Sequence, residues 1–518
     1  MCIFKREVRN IIRKIFKFLF SRIAIVGFFL CLQIGFFILL MVKFASYSQC
    51  VTMGLTVISL VVVSYIVNRN DSPEFKLAWC VPILLFPIFG GLFYLFIKLQ
   101  AHQERKKLKA GRTAKALLPH LTQDEDVIDE LFSINPHAAR QASYATDYAG
   151  YCVYKNSSVK YLPIGEVYFE HLVKELEKAE EFIFMEYFII ARGRMWDVVF
   201  KLLEEKAKKG VDVRLIYDSM GSLFLVPSGY DKFLEGKGIK CIEFNKFRPA
   251  MSSNQNNRDH RKICVIDGRV AFTGGINIAD EYINELDRCG HWKDNGVKVT
   301  GDAVKSFTLT FLQTWNSFYP IVDDRCYLEK TYSVKTDGFV MPYADIPGDD
   351  ERVCESVYLN LISRANTYLY ITTPYFILGE EFITALELAA KGGVDVRIVT
   401  PHKWDKWFVH MTTRSYYERL IKAGIQVYEY TPGFIHAKTF VCDGKIATVG
   451  TANLDYRSLY LQYECGLWMY DTACIEKIKD DLLDTMSKSH LVTLEECKNQ
   501  RLGVRVIQKI LHPLAPLM

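Results

Sequence analysis

The sequence predicts an α/β fold class: two duplicated domains, each built on a mixed sheet, preceded by an α-helical transmembrane region. Three observations carry this. Segments roughly 180 residues apart echo one another, as GVDVRLIYD (210–218) and GVDVRIVTP (393–401) do. One phrase, H-x-K-x-x-x-x-D-G, occurs twice, as HRKICVIDG (260–268) and HAKTFVCDG (436–444). The first hundred residues hold three long apolar runs that the remainder of the chain lacks.

The N-terminal elements come first in the chain. Residues 1–22 carry Lys5, Arg6, Arg9, Arg13, Lys14, Lys17 and Arg22 against Glu7. Ile11, Ile12, Ile15, Phe16 and Leu19 fall near helical spacing, so the segment reads as a basic amphipathic helix on an anionic membrane surface. Residues 23–97 form the transmembrane region. The run 23–42 is uncharged and close to the ~20 residues that span a bilayer, and the runs 50–67 and 78–97 follow it. Further apolar runs after the first argue against a cleaved signal peptide. Both flanks are basic (Lys98, Arg105, Lys106, Lys107, Lys109 and Arg112 on the C-terminal side), and the positive-inside rule places both in the cytoplasm. Three crossings would separate them, so two or three spans remain open. The run 78–97, with Pro82, Pro87 and Gly90-Gly91, is the re-entrant candidate. Residues 98–130 read as a charged connector, and the catalytic region is expected to be cytoplasmic.

Each half of the remainder repeats one plan. KAEEFIFMEYFII (178–190) parallels RANTYLYITTPYFIL (364–378), and GIKCIEFN (238–245) parallels GIQVYEYT (424–431). Charged helical stretches separate these apolar strands, and the repeated phrase closes the set as a hairpin. Asp267-Gly268 and Asp443-Gly444 supply the hairpin turns. In an extended chain His260 and Lys262 share a face, while Arg261 and Ile263 point the other way; His436 and Lys438 repeat the pattern. Each Asp falls seven positions after its His, off that face, and reads mainly as a residue that fixes the turn.

Two histidines facing one phosphate can divide a phosphoryl transfer into nucleophile and acid. His260, Lys262, Asp267, His436, Lys438 and Asp443 are therefore the candidate catalytic set. The lysines, with Asn277 and Asn453 after each hairpin, offer donors to the non-bridging oxygens. Such a site calls for no metal and no cofactor. Cys289 and His291 in CGHW have no second ligand pair at metal-site spacing. The net charge of +5 over 518 residues is too small for a general nucleic-acid footprint. The 14 cysteines are scattered, as Cys31, Cys80, Cys264 and Cys442 illustrate, which fits reduced thiols on a cytoplasmic face.

The duplicated phrase resembles the phospholipase D superfamily, whose signature is this HKD motif in two copies. SPEFKLAW with LLFPIFGGLFYLF (72–79, 84–96), TGGINIADEYIN (273–284) and TVGTANLDYRSLYLQYE (448–464) resemble the bacterial cardiolipin synthases. The resemblance implies phospholipase D-like domains at 131–330 and 331–518, each giving half of one active site. It implies that one histidine forms a phosphohistidine while the other protonates the leaving alcohol and deprotonates the incoming one. Either histidine could be the nucleophile, and the resemblance leans to His260. Asp294 (in HWKDN) and Glu464 (in QYECG) resemble the family's histidine-orienting acids, with a solvent-exposed carboxylate as the plainer alternative. The implied function is transfer of a phosphatidyl group between two phosphatidylglycerol molecules, giving cardiolipin and glycerol. Hydrolysis, or transfer to another alcohol, is the alternative. The implied partners are phosphatidylglycerol and cardiolipin in an anionic bacterial cell membrane, with no nucleic acid and the oligomeric state open.

Overall fold

A computed structural model describes residues 48–69, 73–86, 121–246, 256–319, 324–330 and 351–517, residues 332–347 apart from 333, 335 and 337, and Gly35, Gly91 and Tyr94. The basic segment 1–22, all of the run 23–42 except Gly35, and residues 98–120 of the connector lie outside these residues.

The N-terminal unit contains the helices Ser48–Val67 and Pro73–Leu85. Ile66 and Ile83 bury against one another with Tyr94, whose ring meets Trp79 edge-on at 5.4 Å. Among the described residues Val57, Ile58, Leu60, Val61, Leu77, Leu84 and Leu85 are exposed, so these helices turn apolar side chains outward. Side chains of the first helix are described from Met53 onward. Among the described residues no helix is long and apolar enough to cross a membrane. The transmembrane region expected over 23–97 is thus represented by two apolar helices and not by a described crossing.

The larger unit is built on two sheets whose strands follow the echoes in the sequence. In chain order the strands of the first half are β1 (Ser157–Leu162), β2 (Phe182–Tyr187), β3 (Asp212–Asp218), β4 (Lys240–Phe244), β5 (Lys262–Ile266), β6 (Val270–Gly274), β7 (His291–Lys293) and β8 (Gly296–Gly301). Those of the second half are β9 (Phe339–Asp345), β10 (Tyr368–Thr372), β11 (Phe376–Ile377), β12 (Asp395–Pro401), β13 (Gln426–Tyr430), β14 (Gly433–Ile435), β15 (Thr439–Cys442), β16 (Ile446–Gly450), β17 (Leu454–Asp455), β18 (Glu464–Tyr470) and β19 (Ser489–Leu491). The first sheet runs β1-β8-β6-β5-β2-β3-β4. The second, taken from its β9 edge, runs β9-β18-β16-β15-β10-β12-β13-β19. The two orders correspond strand for strand, with β19 added at one edge. Both sheets are mixed: β2, β3 and β4 are parallel, as are β10, β12 and β13, while the motif hairpins pair antiparallel.

Strand parity sets the layers. Ile183, Met185, Cys264 and Ile266 face one way, into a core with Leu172, Trp196, Val199 and Leu203 from the helices Gly165–Leu176 and Arg194–Lys208. Phe182, Phe184, Ile263 and Val265 face the other way, into a core that continues without a break to Met341, Leu369, Val441 and Trp468 of the second sheet. Helix Val304–Phe318 lies between the sheets and is buried on nearly every side, which is why VKSFTLTFLQTWNSF has no charged residue after Lys305. The two halves therefore share one core.

Candidate active site

Both hairpins turn where the sequence places them. Asp267 and Gly268 have φ of 54° and 63°, and Asp443 and Gly444 have 52° and 68°, the left-handed pair that a type I′ turn requires. Asp267 accepts the backbone N–H groups of Glu180, Glu181 and Phe182 at 2.8–3.0 Å, which fastens the start of β2. Asp443 does the same for Asn366, Thr367 and Tyr368 at the start of β10 and also takes the Thr367 hydroxyl. These carboxylates sit at the far end of β5 and β15 from the histidines.

The histidines lie just before their strands rather than within them, because each segment pairs with the opposite half first. The His260 N–H donates to Tyr463 O at 2.9 Å, beside a parallel bridge between Asp259 and Tyr463. The His436 N–H donates to Lys293 O at 2.7 Å, where β14 runs parallel to β7. Each of these partners immediately precedes an acid. Glu464 receives His260 Nδ1 at 2.9 and 3.1 Å, and Asp294 receives His436 Nδ1 at 2.7 Å. The orienting acids are thus exchanged: each half holds the other half's histidine. Both acids are fully buried, not solvent-exposed.

Arg261, whose side chain leaves on the opposite face from His260, is buried against Glu186 (2.7 Å), Asp259 (3.0 Å) and Thr314 (2.6 Å). That cluster anchors the strand below His260. Lys262 and Lys438 are also buried, each donating back to the carbonyl of its own histidine, and Lys438 Nζ lies 2.9 Å from His436 Nδ1. Asn277 accepts from Ile189 N at 3.0 Å and donates to Tyr282 Oη at 2.7 Å. Asn453 Nδ2 donates to Asp455 at 3.2 Å. Each amide nitrogen carries a second N–H beyond the one so engaged.

Burial dominates the electrostatics. Desolvation lowers His260 to about 4 against the opposing pull of Glu464, and lowers His436 to about 3, helped by Lys438 and opposed by Asp294. Both imidazoles are neutral near pH 7. A carboxylate can only accept, so each holds its proton on Nδ1 and leaves the Nε2 lone pair available. Desolvation also brings Lys262 down to about 8 and Lys438 to about 7. Four basic groups thus crowd a buried site whose matching carboxylates are already engaged.

Several neighbours carry no signature in the linear sequence. Phe188 meets His260 edge-on at 5.0 Å, and Tyr282 and Trp292 lie 5.5 Å from His436. Thr451 donates its hydroxyl to Glu464 and receives the Cys465 N–H at 2.9 Å. Its counterpart is Gly275, where a Cβ would stand 2.0 Å from Asp294 Oδ1. Aligning TGGIN with VGTAN sets this pair opposite one another, as one of three positions at which the two segments differ. A cavity of about 630 Å³ lined by Arg214, Lys240, Trp315 and Asp324 contains none of the motif residues. Among the described residues no cluster of three or more His, Cys, Asp or Glu could hold a metal ion.

Two H-x-K segments meeting across a pseudo-twofold interface, on paired mixed sheets, define the phospholipase D-like class of phosphatidyltransferase. The family model described as "Cardiolipin synthase, PLD-like domain" matches residues 172–313 and 358–486, one segment in each half, and the chain belongs to that family. A second model, "Phospholipase_D-nuclease N-terminal", matches residues 54–98. An uncharacterized protein of Streptococcus mutans is 41% identical over 457 residues, which is 88% of this chain and 99% of that protein. A cardiolipin synthase of Geobacillus kaustophilus is 34% identical over 474 residues, covering 90% of this chain and 93% of its own. The fold is also similar to a crystal structure of phosphatidylserine synthase from Haemophilus influenzae, with a TM-score of 0.56 over 70% of this chain and 93% of that one, at 15% identity.

Proposed function

We propose that this chain is a cardiolipin synthase that transfers a phosphatidyl group from one phosphatidylglycerol to another. The observation that carries the reading is the pair of buried, neutral histidines, each held at Nδ1 by the opposite half's acid. The cardiolipin synthases among its relatives support the choice of substrate. In the first step His260 Nε2 attacks phosphorus, and the bond to the glycerol oxygen breaks. His436 gives that oxygen its proton. In the second step the hydroxyl of another phosphatidylglycerol loses its proton to His436 and attacks phosphorus, and the N–P bond breaks. One phosphodiester is made for each one lost, so no nucleotide is consumed. The choice of His260 as nucleophile follows the family resemblance.

Free His436 is neutral, so the acid must be made on binding. The substrate's negative charge opposes desolvation and raises the affinity of both imidazoles for a proton. Lys262 and Lys438 then stand as donors to the non-bridging oxygens, and Asn277 and Asn453 complete the proposed set. The exposed apolar helices before residue 86 support attachment to a bacterial cell membrane, with two or three crossings in residues 23–97 and a cytoplasmic catalytic unit.

The test is lipid analysis after incubating the purified full chain with labelled phosphatidylglycerol. Cardiolipin and free glycerol in equal amounts are expected. Phosphatidic acid alone would replace transfer by hydrolysis. In His436→Ala, with a phosphatidyl ester whose leaving group needs no proton, such as phosphatidyl-p-nitrophenol, a phosphatidyl group should accumulate on His260 and be found there by mass spectrometry. Label on His436 in the complementary His260→Ala variant would reverse the two roles.

A further inference from the structure

The second half ends in helix Leu502–Leu511, and its sequence LGVRVIQKIL is apolar on two faces. One face is spent on the fold. Val504, Ile507 and Leu511 are half-buried and Gln508 is buried, and the helix packs on helix Trp407–Lys422. The other face, Leu502, Val506 and Ile510, follows the i, i+4, i+8 spacing of one stripe and stays in the open, with Leu502 78% and Ile510 60% exposed. Arg501, Arg505 and Lys509 flank that stripe, and residues 500–518 contain no Asp or Glu. A soluble surface helix ordinarily turns charge outward and keeps one apolar face inside. This one presents apolar residues outward between cations.

The helix on which it packs points the stripe toward the loop 403–408. The His512 ring lies tilted against Tyr416 at 4.7 Å and 3.1 Å from Ser415, while Arg505 acts on Glu418 one turn further along. The two helices therefore run antiparallel, and the C-terminal end of the stripe points to the first turn of Trp407–Lys422. Trp407 and Phe408 are exposed there, and Trp404, 53% exposed, stands in the preceding loop with Lys403 and Lys406. That loop is tied to the catalytic neighbourhood. Asp405 receives the Tyr375 hydroxyl at 2.5 Å, and the charge on Lys406 is felt by buried Asp455, the partner of Asn453.

We propose that the loop 403–408 and the outer face of helix Leu502–Leu511 form one anionic-lipid contact, which lays this side of the second half on the bilayer surface. It is separate from any N-terminal attachment and rests on the reading of the substrate as a membrane phospholipid. Aromatic side chains interleaved with lysine suit the interfacial zone, and an apolar stripe flanked by cations suits an in-plane helix on acidic headgroups. A phospholipid whose phosphate reaches buried histidines must leave its acyl chains outside, so apolar surface on the same half has a direct use. Charge complementarity selects the occupant. Two copies of this face would set three cations against three cations, whereas phosphatidylglycerol neutralises them.

The test uses the full chain reconstituted in vesicles containing acyl-brominated phosphatidylglycerol or brominated phosphatidylcholine. Bromine should quench the fluorescence of Trp404 and Trp407, read as the difference between wild type and the W404F/W407F variant. Quenching should grow with the phosphatidylglycerol fraction. In R501Q/R505Q/K509Q, half-maximal quenching should shift to higher phosphatidylglycerol, by roughly fivefold for each cation removed. L502N/V506N/I510N should weaken quenching in both lipids, with Tm in detergent unchanged as a check on folding. Quenching that is the same in wild type and all three variants would overturn the proposal. So would a concentration-dependent dimer abolished by L502N/V506N/I510N, which would make a second copy the occupant. Quenching requires no turnover. Quenching without cardiolipin would remove the proposed function alone, and cardiolipin without quenching would remove the lipid contact alone.

Discussion

His260 and His436 illustrate how burial, rather than residue type, prepares this chemistry. In the unfolded chain each would titrate near 6.5, but in the fold they stay neutral down to about 4 and about 3. Across that interval the unfolded chain binds more protons. Their contribution to stability is therefore complete above about pH 6.5 and falls as the pH drops toward 4. The unfolding free energy of wild type should lose more over this range than that of the doubly substituted H260N/H436N chain, measured by denaturant titration at each pH. Gly275 and Thr451 make a second residue-scale contrast. Gly275→Ala should cut turnover severely by pushing Asp294 away from His436, because a Cβ there would stand 2.0 Å from Oδ1. Thr451→Ser should keep most activity and Thr451→Val little, since only the hydroxyl meets Glu464. Steady-state rates on phosphatidylglycerol check both.

At the scale of the element, the motif hairpin is a device for holding two strands in register. The H-x-K phrase, the Asp-Gly turn and the return strand were legible in the sequence, because a period of two and a left-handed turn each leave a mark on residue type. What Asp267 and Asp443 grip was not legible, since the gripped amides lie about 75 to 90 residues earlier in the chain. Asp267→Ala leaves three backbone N–H groups without that acceptor. It should cost about 1.5–3 kcal/mol of stability for each hydrogen bond not replaced by water. Turnover per folded molecule should persist at low temperature, and a lowered Tm with retained low-temperature activity is the expected result. The outer strands β1, β8, β9 and β18 were not separately anticipated. Their segments lack a turn signal of the Asp-Gly kind, and their pairing is fixed by the sheet that they complete.

For the whole molecule, the exchange of acids and the shared core make the two halves one folding unit, and under the proposed function one catalytic unit. The core runs through both sheets, and helix Val304–Phe318 serves both. Calorimetry should therefore show the two halves unfolding in a single transition. An oxyanion such as tungstate should raise its midpoint by binding the lysines of the folded site and not the unfolded chain. Saturation at a hundred times Kd corresponds to about 2.7 kcal/mol. Two separate transitions, only one of them sensitive to tungstate, would contradict the shared site.

By itself the sequence determined the class of fold, the duplication and the pairing of histidines with lysines, while Asp294 and Glu464 entered only through a family resemblance with an exposed carboxylate as the alternative. The first three are properties of local pattern and of repetition, and both survive in a linear string. Only the tertiary structure decided that Glu464 serves His260 and Asp294 serves His436, that each histidine pairs with the opposite half before its own strand begins, and that burial strips all four bases of their usual proton affinity. The reason is physical. Periodicity fixes which way a side chain points from its own backbone, whereas the partner it meets and the water it loses are set by packing between segments far apart in the chain.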